Sequence, residues 1–226
     1  MPMPGTLFLV ATPIGNLEDI TLRALRVLKE ADIVACEDTR VSKVLLNAYE
    51  LKKDCVSLHQ HTSMEKVERL LDRVEKGENA VYISDAGTPG MNDPGGKLVE
   101  AAYTRGVRVE PIPGASALTA SISVCGFAMD EFTYVGFLPH KKGRQTLIKE
   151  IAERETPTVF LESTHRIAKA LAALQEVLDE NRLIFVGREL TKKFETLYRG
   201  TVREVIAALG KTSAKGEFTV IVGPQK

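Results

Sequence analysis

The feature that most constrains this 226-residue chain is the alternation, through its first half, of short apolar runs with longer segments of helical period. Thr6–Ala11, Asp32–Cys36, Ala80–Ser84 and Val107–Pro111 have the length and composition of buried strands. Between them lie helical stripes. One runs over Ile20–Ala31 behind a cap at Asp19, with Leu22, Leu25, Arg26 and Leu28 in register. A second opens at Ser63, carries Met64, Val67, Leu70, Leu71 and Val74 on one face, and stops at Gly77. A third spans Gly96–Arg105 and ends at Gly106. Strands linked through helices of roughly 10–15 residues predict an α/β domain with a mainly parallel, doubly wound sheet.

A second series begins near Pro113. Helices are expected over Ala115–Cys125, Gly143–Arg154, Arg166–Leu178 and Val202–Leu209. Strands are expected over Phe132–Val135, Thr158–Leu161, Leu183–Val186, Thr196–Tyr198 and Phe218–Val222. That order implies a mixed sheet, so two α/β domains are expected, 1–112 and 113–226.

Hydrophobic residues make up 44% and charged residues 27%, a globular balance that excludes collagen, coiled coil and extended disorder. Thirty basic residues match thirty acidic ones, so overall charge points to no nucleic-acid partner. The halves differ: residues 1–112 hold 14 basic and 17 acidic residues, and residues 113–226 hold 16 and 13. The densest basic point is His140, Lys141, Lys142 and Arg144. No apolar run approaches the roughly 18–20 residues that span a bilayer, and the N-terminus lacks the pattern of a signal peptide. Cys36, Cys55 and Cys125 are scattered and odd in number. They read as reduced, buried thiols of a cytoplasmic protein, with no metal site.

Four loops follow predicted strands, where open α/β sheets hold their ligands. Thr12-Pro13-Ile14-Gly15-Asn16-Leu17 has one glycine, which rules out a dinucleotide or P-loop fingerprint; it is either a ligand loop or a plain turn. Glu37-Asp38-Thr39-Arg40 either orients a polar substrate or opens a helix with a local ion pair. Asp85–Gly96 packs four glycines, two prolines and two aspartates into twelve residues, far more shape than a short turn needs, and reads as a binding loop. Pro113-Gly114-Ala115-Ser116-Ala117 suits a flat ligand lying against backbone, or a linker. His59 and His61 alternate at a likely strand end and do not make a metal pair.

Several of these strings resemble the tetrapyrrole methylase family, the class III methyltransferases, and within it the branch that modifies ribosomal RNA. They are Leu9–Thr21, Cys36–Arg40, Ser84–Pro89, Pro113–Ala115, Gly136–Pro139, Phe160–Arg166, Gly187–Lys192 and Gly216–Thr219. The resemblance covers essentially the whole chain. It implies two α/β domains around a cleft, a homodimer, and S-adenosylmethionine as cofactor. It assigns to cofactor contact Asp85, Ala86, Gly87, Thr88, Pro113, Gly114, Ala115, Ser116, Leu161, Glu162, Ser163, Glu217, Phe218 and Thr219. The implied substrate is a cytidine of small-subunit ribosomal RNA, free or in the 30S particle, methylated on its ribose 2′-oxygen.

Substrate contacts are expected from Pro13, Gly15, Asn16, Arg40, Lys43, Lys141, Lys142 and Arg144. A base for the hydroxyl proton is expected among Asp38, Glu37 and His61, none chosen by spacing. Relatives often carry a further C-terminal helical domain, so part of the RNA grip is expected to lie outside this chain. They also usually read His-Glu-His-Asn where this chain reads His59-Gln60-His61-Thr62. Two rival readings stand: a methylase of the same fold acting on a tetrapyrrole or modified histidine, and a non-catalytic RNA-binding assembly factor. A dehydrogenase lacks its Gly-x-Gly-x-x-Gly.

Overall fold

The computed structural model describes residues 4–213 and 215–225, and the chain divides into two compact units at Ser116/Ala117. The first holds β1 (Thr6–Val10), α1 (Leu22–Glu30), β2 (Ile33–Cys36), α2 (Thr39–Ala48), β3 (Cys55–Ser57), α3 (Met64–Glu75), β4 (Ala80–Ile83), α4 (Gly95–Thr104) and β5 (Arg108–Ile112). Its sheet runs β3-β2-β4-β1-β5, with every pair parallel. Leu7, Ala80 and Ile33 stand side by side, as do Phe8, Val81 and Val34 one residue on. Strand alternation sends these two rows to opposite faces. Leu7, Ile33, Ala80 and Tyr82 pack under α3 and α4. Val10, Val34, Val81 and Ile83 pack under α1 and α2. Both faces are covered, which is why Ile33–Cys36 and Ala80–Ile83 are apolar without interruption. β5 pairs only with β1 and so carries Pro111 within a strand, as an edge strand can.

The second unit holds α5 (Ala117–Cys125), β6 (Thr133–Phe137), α6 (Arg144–Glu153), β7 (Thr158–Ser163), α7 (Ile167–Gln175), β8 (Leu183–Arg188), β9 (Thr196–Thr201), α8 (Val202–Leu209) and β10 (Glu217–Val222). Its sheet is mixed, in the order β6-β7-β10-β8-β9; β6 and β7 are parallel and the other pairs antiparallel. Phe160, Ile184, Val186, Phe218 and Val220 form one core with α6, α7 and α8. Val159, Phe185 and Ile221 face Cys125, Leu118 and Ile122 of α5. Both expected sheet types are present.

Several local expectations meet the structure differently. α1 starts behind Thr21, whose hydroxyl accepts the Ala24 N–H at 3.0 Å. Asp19 instead closes a short 3-10 turn, Leu17–Asp19, capped by Asn16. The buried stripe is Ala24, Val27 and Leu28, and Leu22 is 86% exposed. A ten-residue helix, α2, follows the Asp38 loop, so the helix-start reading of that loop holds. His59 and His61 lie beyond the end of β3, in a turn closed by the Thr62 N–H on the His59 carbonyl at 2.8 Å. The thiols are all free, and Cys55 is only half-buried. Among the described residues no helix is long and apolar enough to cross a membrane.

Candidate functional site

All five strands of the first sheet point the same way, so the loops after them emerge at one edge. α1, which follows β1, lies on the opposite face from α4, which follows β4. The two strands are neighbours, so the chain diverges between them, and it is outside such carboxyl ends that open α/β sheets hold their ligands. The loops meet there. Thr12 and Gly87 form an isolated antiparallel bridge, N–H to carbonyl at 2.9 and 3.1 Å. The Thr12 hydroxyl donates to the Ser84 carbonyl and the Ser84 hydroxyl to the Gly87 carbonyl, both at 3.3 Å. The Thr88 hydroxyl donates to the Ala115 carbonyl at 3.2 Å. Gly87 sits at φ +83°, where a Cβ would meet Ile14 at 3.2 Å. A Cβ on Gly114 would meet that of Ala11 at 3.0 Å. These glycines let three loops close over one another.

Asp93 shapes the long loop from inside. Its carboxylate accepts the Gly90 N–H at 2.8 Å and the Gly95 N–H at 2.7 Å. Asp85 reaches the next loop: its Oδ1 accepts the Asp38 N–H at 3.0 Å. Glu37, Asp38, Asp85, Ala86, Gly87, Thr88, Gly114 and Ala115 are thus drawn to the same edge. Pro13, Gly15 and Asn16 lie on the loop after β1, where the Asn16 side chain caps the 3-10 turn. Lys43 is exposed on α2.

The two adjacent carboxylates are driven apart electrostatically. The Arg40 guanidinium pairs with Asp38 at 2.6 Å and holds its carboxyl down to about 2. Burial, reinforced by the negative Asp85 and Asp93, pushes Glu37 up. Burial likewise raises Asp85. Asp38 is therefore committed to Arg40 as an anion, and Glu37 is the better proton acceptor. The phenol of Tyr82 is buried on β4 with no hydrogen-bond partner, and burial followed by the same acidic groups raises its pKa. A shallow cavity beside Tyr82 is lined by His59, Gln60, Thr62, Met64, Pro94 and Lys97. The His61 N–H donates to the ring Nδ1 of His59 at 3.2 Å. Among the described residues no group of three His, Cys, Asp or Glu side chains gathers to hold a metal ion.

In the second unit, the ends of β6, β7 and β8 and the starts of β9 and β10 share one edge. Leu161 pairs with Thr219, Glu162 with Phe218 and Ser163 with Glu217 across β7 and β10. Pairing puts these six residues on two faces. Leu161, Ser163, Glu217 and Thr219 take the face of α5, while Glu162 and Phe218 take the face of α6–α8, where Phe218 is core. The Glu162 side chain is 0% exposed and pairs with Arg144 and Arg166, each at 3.2 Å. Arg144, expected to be a surface cation for phosphate, is instead 13% exposed and bound to that carboxylate. Lys141 and Lys142 are exposed in the loop before α6.

Sequence reasoning missed Tyr82, Asp93 and Arg166. Arg166 was detectable, four residues after Glu162. Asp93 was visible as one of two aspartates in the glycine-rich loop. Tyr82 reads as an ordinary aromatic of a buried strand.

A family model described as Tetrapyrrole (Corrin/Porphyrin) Methylases matches residues 6–206. A Mesorhizobium japonicum protein named ribosomal RNA small subunit methyltransferase I is 45% identical over 99% of this chain and 76% of its own length. A Thermotoga maritima protein of the same name is 40% identical over 96% of this chain and 98% of its own length. Among solved structures, uroporphyrin-III C-methyltransferase from Thermus thermophilus, complexed with S-adenosylhomocysteine, superposes with a TM-score of 0.66. It is 24% identical and covers 97% of each chain, a likeness of fold. The chain belongs to the tetrapyrrole methylase family, and within it to the group named ribosomal RNA small subunit methyltransferase I.

Proposed function

We propose that the chain transfers a methyl group from S-adenosylmethionine to the ribose 2′-oxygen of a cytidine in small-subunit ribosomal RNA. The full-length likeness to relatives of that name carries the reading. The residues at the first sheet's edge suit the donor. Ala86, Gly87, Gly114 and Ala115 offer backbone with small side chains, against which a flat base can lie. Asp85 offers a carboxylate acceptor for hydroxyl or ammonium groups. Bound there, the donor supplies an electrophilic methyl on a positive sulfonium.

The chain's own work is to position the acceptor and remove its proton. Glu37, half-buried and with a raised pKa, is the base in this reading. Asp38 orients Arg40, which is left to meet substrate phosphate together with Lys43. His61 is set aside as base because it lies in the turn beyond β3, the edge strand, two strands away from β4 and the Asp85 loop that follows it. Lys141 and Lys142 contact RNA; Arg144 acts only through Glu162. The same reading takes the small subunit or its RNA as substrate, a pair of chains as the working unit, and the cytoplasm as compartment.

Transfer of tritium from labelled donor to unmodified small subunits tests it. Label retained in RNA as 2′-O-methylcytidine is the expected result. Donor binding without transfer to RNA refutes it in favour of an assembly factor. Label in an added porphyrinoid refutes it in favour of a tetrapyrrole acceptor.

A further inference from the structure

The turn from β8 to β9 is built more firmly than a hairpin loop needs. Glu189 and Thr191 both adopt left-handed backbone, at φ 52° and 65°, though neither is glycine. A network holds them there. The Glu189 N–H donates to the Glu217 carbonyl, and the Glu189 Oε1 accepts the Glu217 N–H and the Lys192 Nζ, all at 2.9 Å. The Glu195 carboxylate accepts the Thr191 N–H at 2.6 Å. Arg188, itself buried, donates to the carbonyls of Lys215 at 2.7 Å and Phe194 at 3.2 Å. Gly216 fits only as glycine, since a Cβ would fall 2.5 Å from the Glu189 Cγ.

What this frame presents is Phe194, 64% exposed, with the Lys193 ammonium 5.7 Å from its ring centroid. So exposed a phenyl contributes little to the core. Backbone strain sustained around an exposed aromatic points to a partner. The surroundings say which kind. The segments at this edge, residues 138–144, 162–166, 188–196 and 215–217, carry eight Lys and Arg against four Glu. Three of those glutamates are already engaged by cations: Glu162 by Arg144 and Arg166, and Glu189 and Glu217 by Lys192. An exposed ring beside Lys193, carried on a hydrogen-bonded turn at a positive edge, is a stacking platform for an unpaired base with its phosphate alongside. We infer that Phe194 and Lys193 form a single-stranded RNA contact, the ring stacking a base and the lysine meeting the adjoining phosphate. The inference deepens the proposed function and rests on its RNA substrate.

The test measures binding of a fluorescent single-stranded 12-mer oligoribonucleotide at two salt concentrations, beside methyl transfer to small subunits. Phe194→Ala should weaken oligonucleotide binding roughly 5- to 150-fold, with donor affinity unchanged. Phe194→Trp should restore it. Lys193→Gln should flatten the dependence of log affinity on log salt by about 0.7. The ring and the ammonium stand outside the core, so the variants should fold as the parent does. If the parent binds and methylates RNA while Phe194→Ala binds the 12-mer equally well, the platform is refuted and the proposed function stands. If the parent neither binds nor methylates RNA, both fall. A change of oligomeric state with unaltered RNA affinity assigns Phe194 to a protein contact and likewise overturns the inference.

Discussion

Glu162→Gln tests how the second unit is held at the edge where β7 ends and β10 begins. The carboxylate is fully buried and takes three donors: Arg144 Nη1 at 3.2 Å, Arg166 Nε at 3.2 Å and the Ser163 N–H at 2.9 Å. Glutamine keeps one carbonyl oxygen, enough for Ser163 and Arg166. Its amide nitrogen then faces the Arg144 guanidinium, donor against donor, and the charge that balanced two arginines is gone. Breaking a buried pair from one side costs about 3–5 kcal/mol. The lower end applies because both arginines keep carbonyl acceptors. Arg144 also donates to the Pro139 carbonyl, and Arg166 to those of Leu138 and Pro139. A loss of about 3 kcal/mol corresponds to a melting temperature lower by about 6–12 °C for a chain of this size. Urea titration followed by far-UV circular dichroism, with the slope checked against the parent, gives the free energy directly. Arg144→Met alone leaves Glu162 with one cation. The double variant should then lose less than the two single losses together, by about 1–2 kcal/mol. A loss below about 1 kcal/mol for Glu162→Gln, or strict additivity with Arg144→Met, would refute the assignment of this carboxylate as a fold-bearing ion pair.

Two further outcomes are expected in the first unit. Tyr82→Phe removes a buried hydroxyl that has no partner, so it should leave stability unchanged or raise it by about 1 kcal/mol; a loss above that, in the same urea titration, would mean the phenol is bonded in solution. Glu37→Gln should stabilise the protein at neutral pH while abolishing most methyl transfer at unchanged donor affinity. The sign follows from a folded pKa raised above the ordinary 4.5: the folded state binds the proton more tightly, so stability is lost as pH climbs from that value through the raised one. The advantage of glutamine should therefore be absent near pH 4 and present at pH 7, and an equal difference at both would sink the argument.

Much of this architecture was readable because both faces of the first sheet are covered. Uninterrupted runs such as Ile33–Cys36 and Ala80–Ile83 have few other uses, and Val202–Leu209 carries its own start signal in the Thr201–Glu204 capping box. α2 was harder to read. Its buried residues are Ser42, Leu45 and Leu46, while Val41 and Val44 face solvent, so no single apolar stripe emerges. The start of α1 differs because Asp19 and Thr21 both suit a cap by residue type, and the hydroxyl of Thr21 is the one that takes the Ala24 N–H; Leu22 then faces outward. At the candidate site, the glycine-rich loop was legible from composition. Its shaping by Asp93, and the capture of Arg144 by a carboxylate eighteen residues away, depend on how distant segments pack, which no local pattern encodes.

Pro111 has a consequence for how this protein keeps its own company. Ile112 turns its carbonyl inward to the Ala11 N–H, so its neighbour Pro111 must turn its backbone nitrogen outward. A strand approaching that flank finds a ring carbon where it needs a hydrogen to pair with. One of the donors that a docking strand needs at β5 is therefore missing, which opposes extension of the sheet from one molecule to the next.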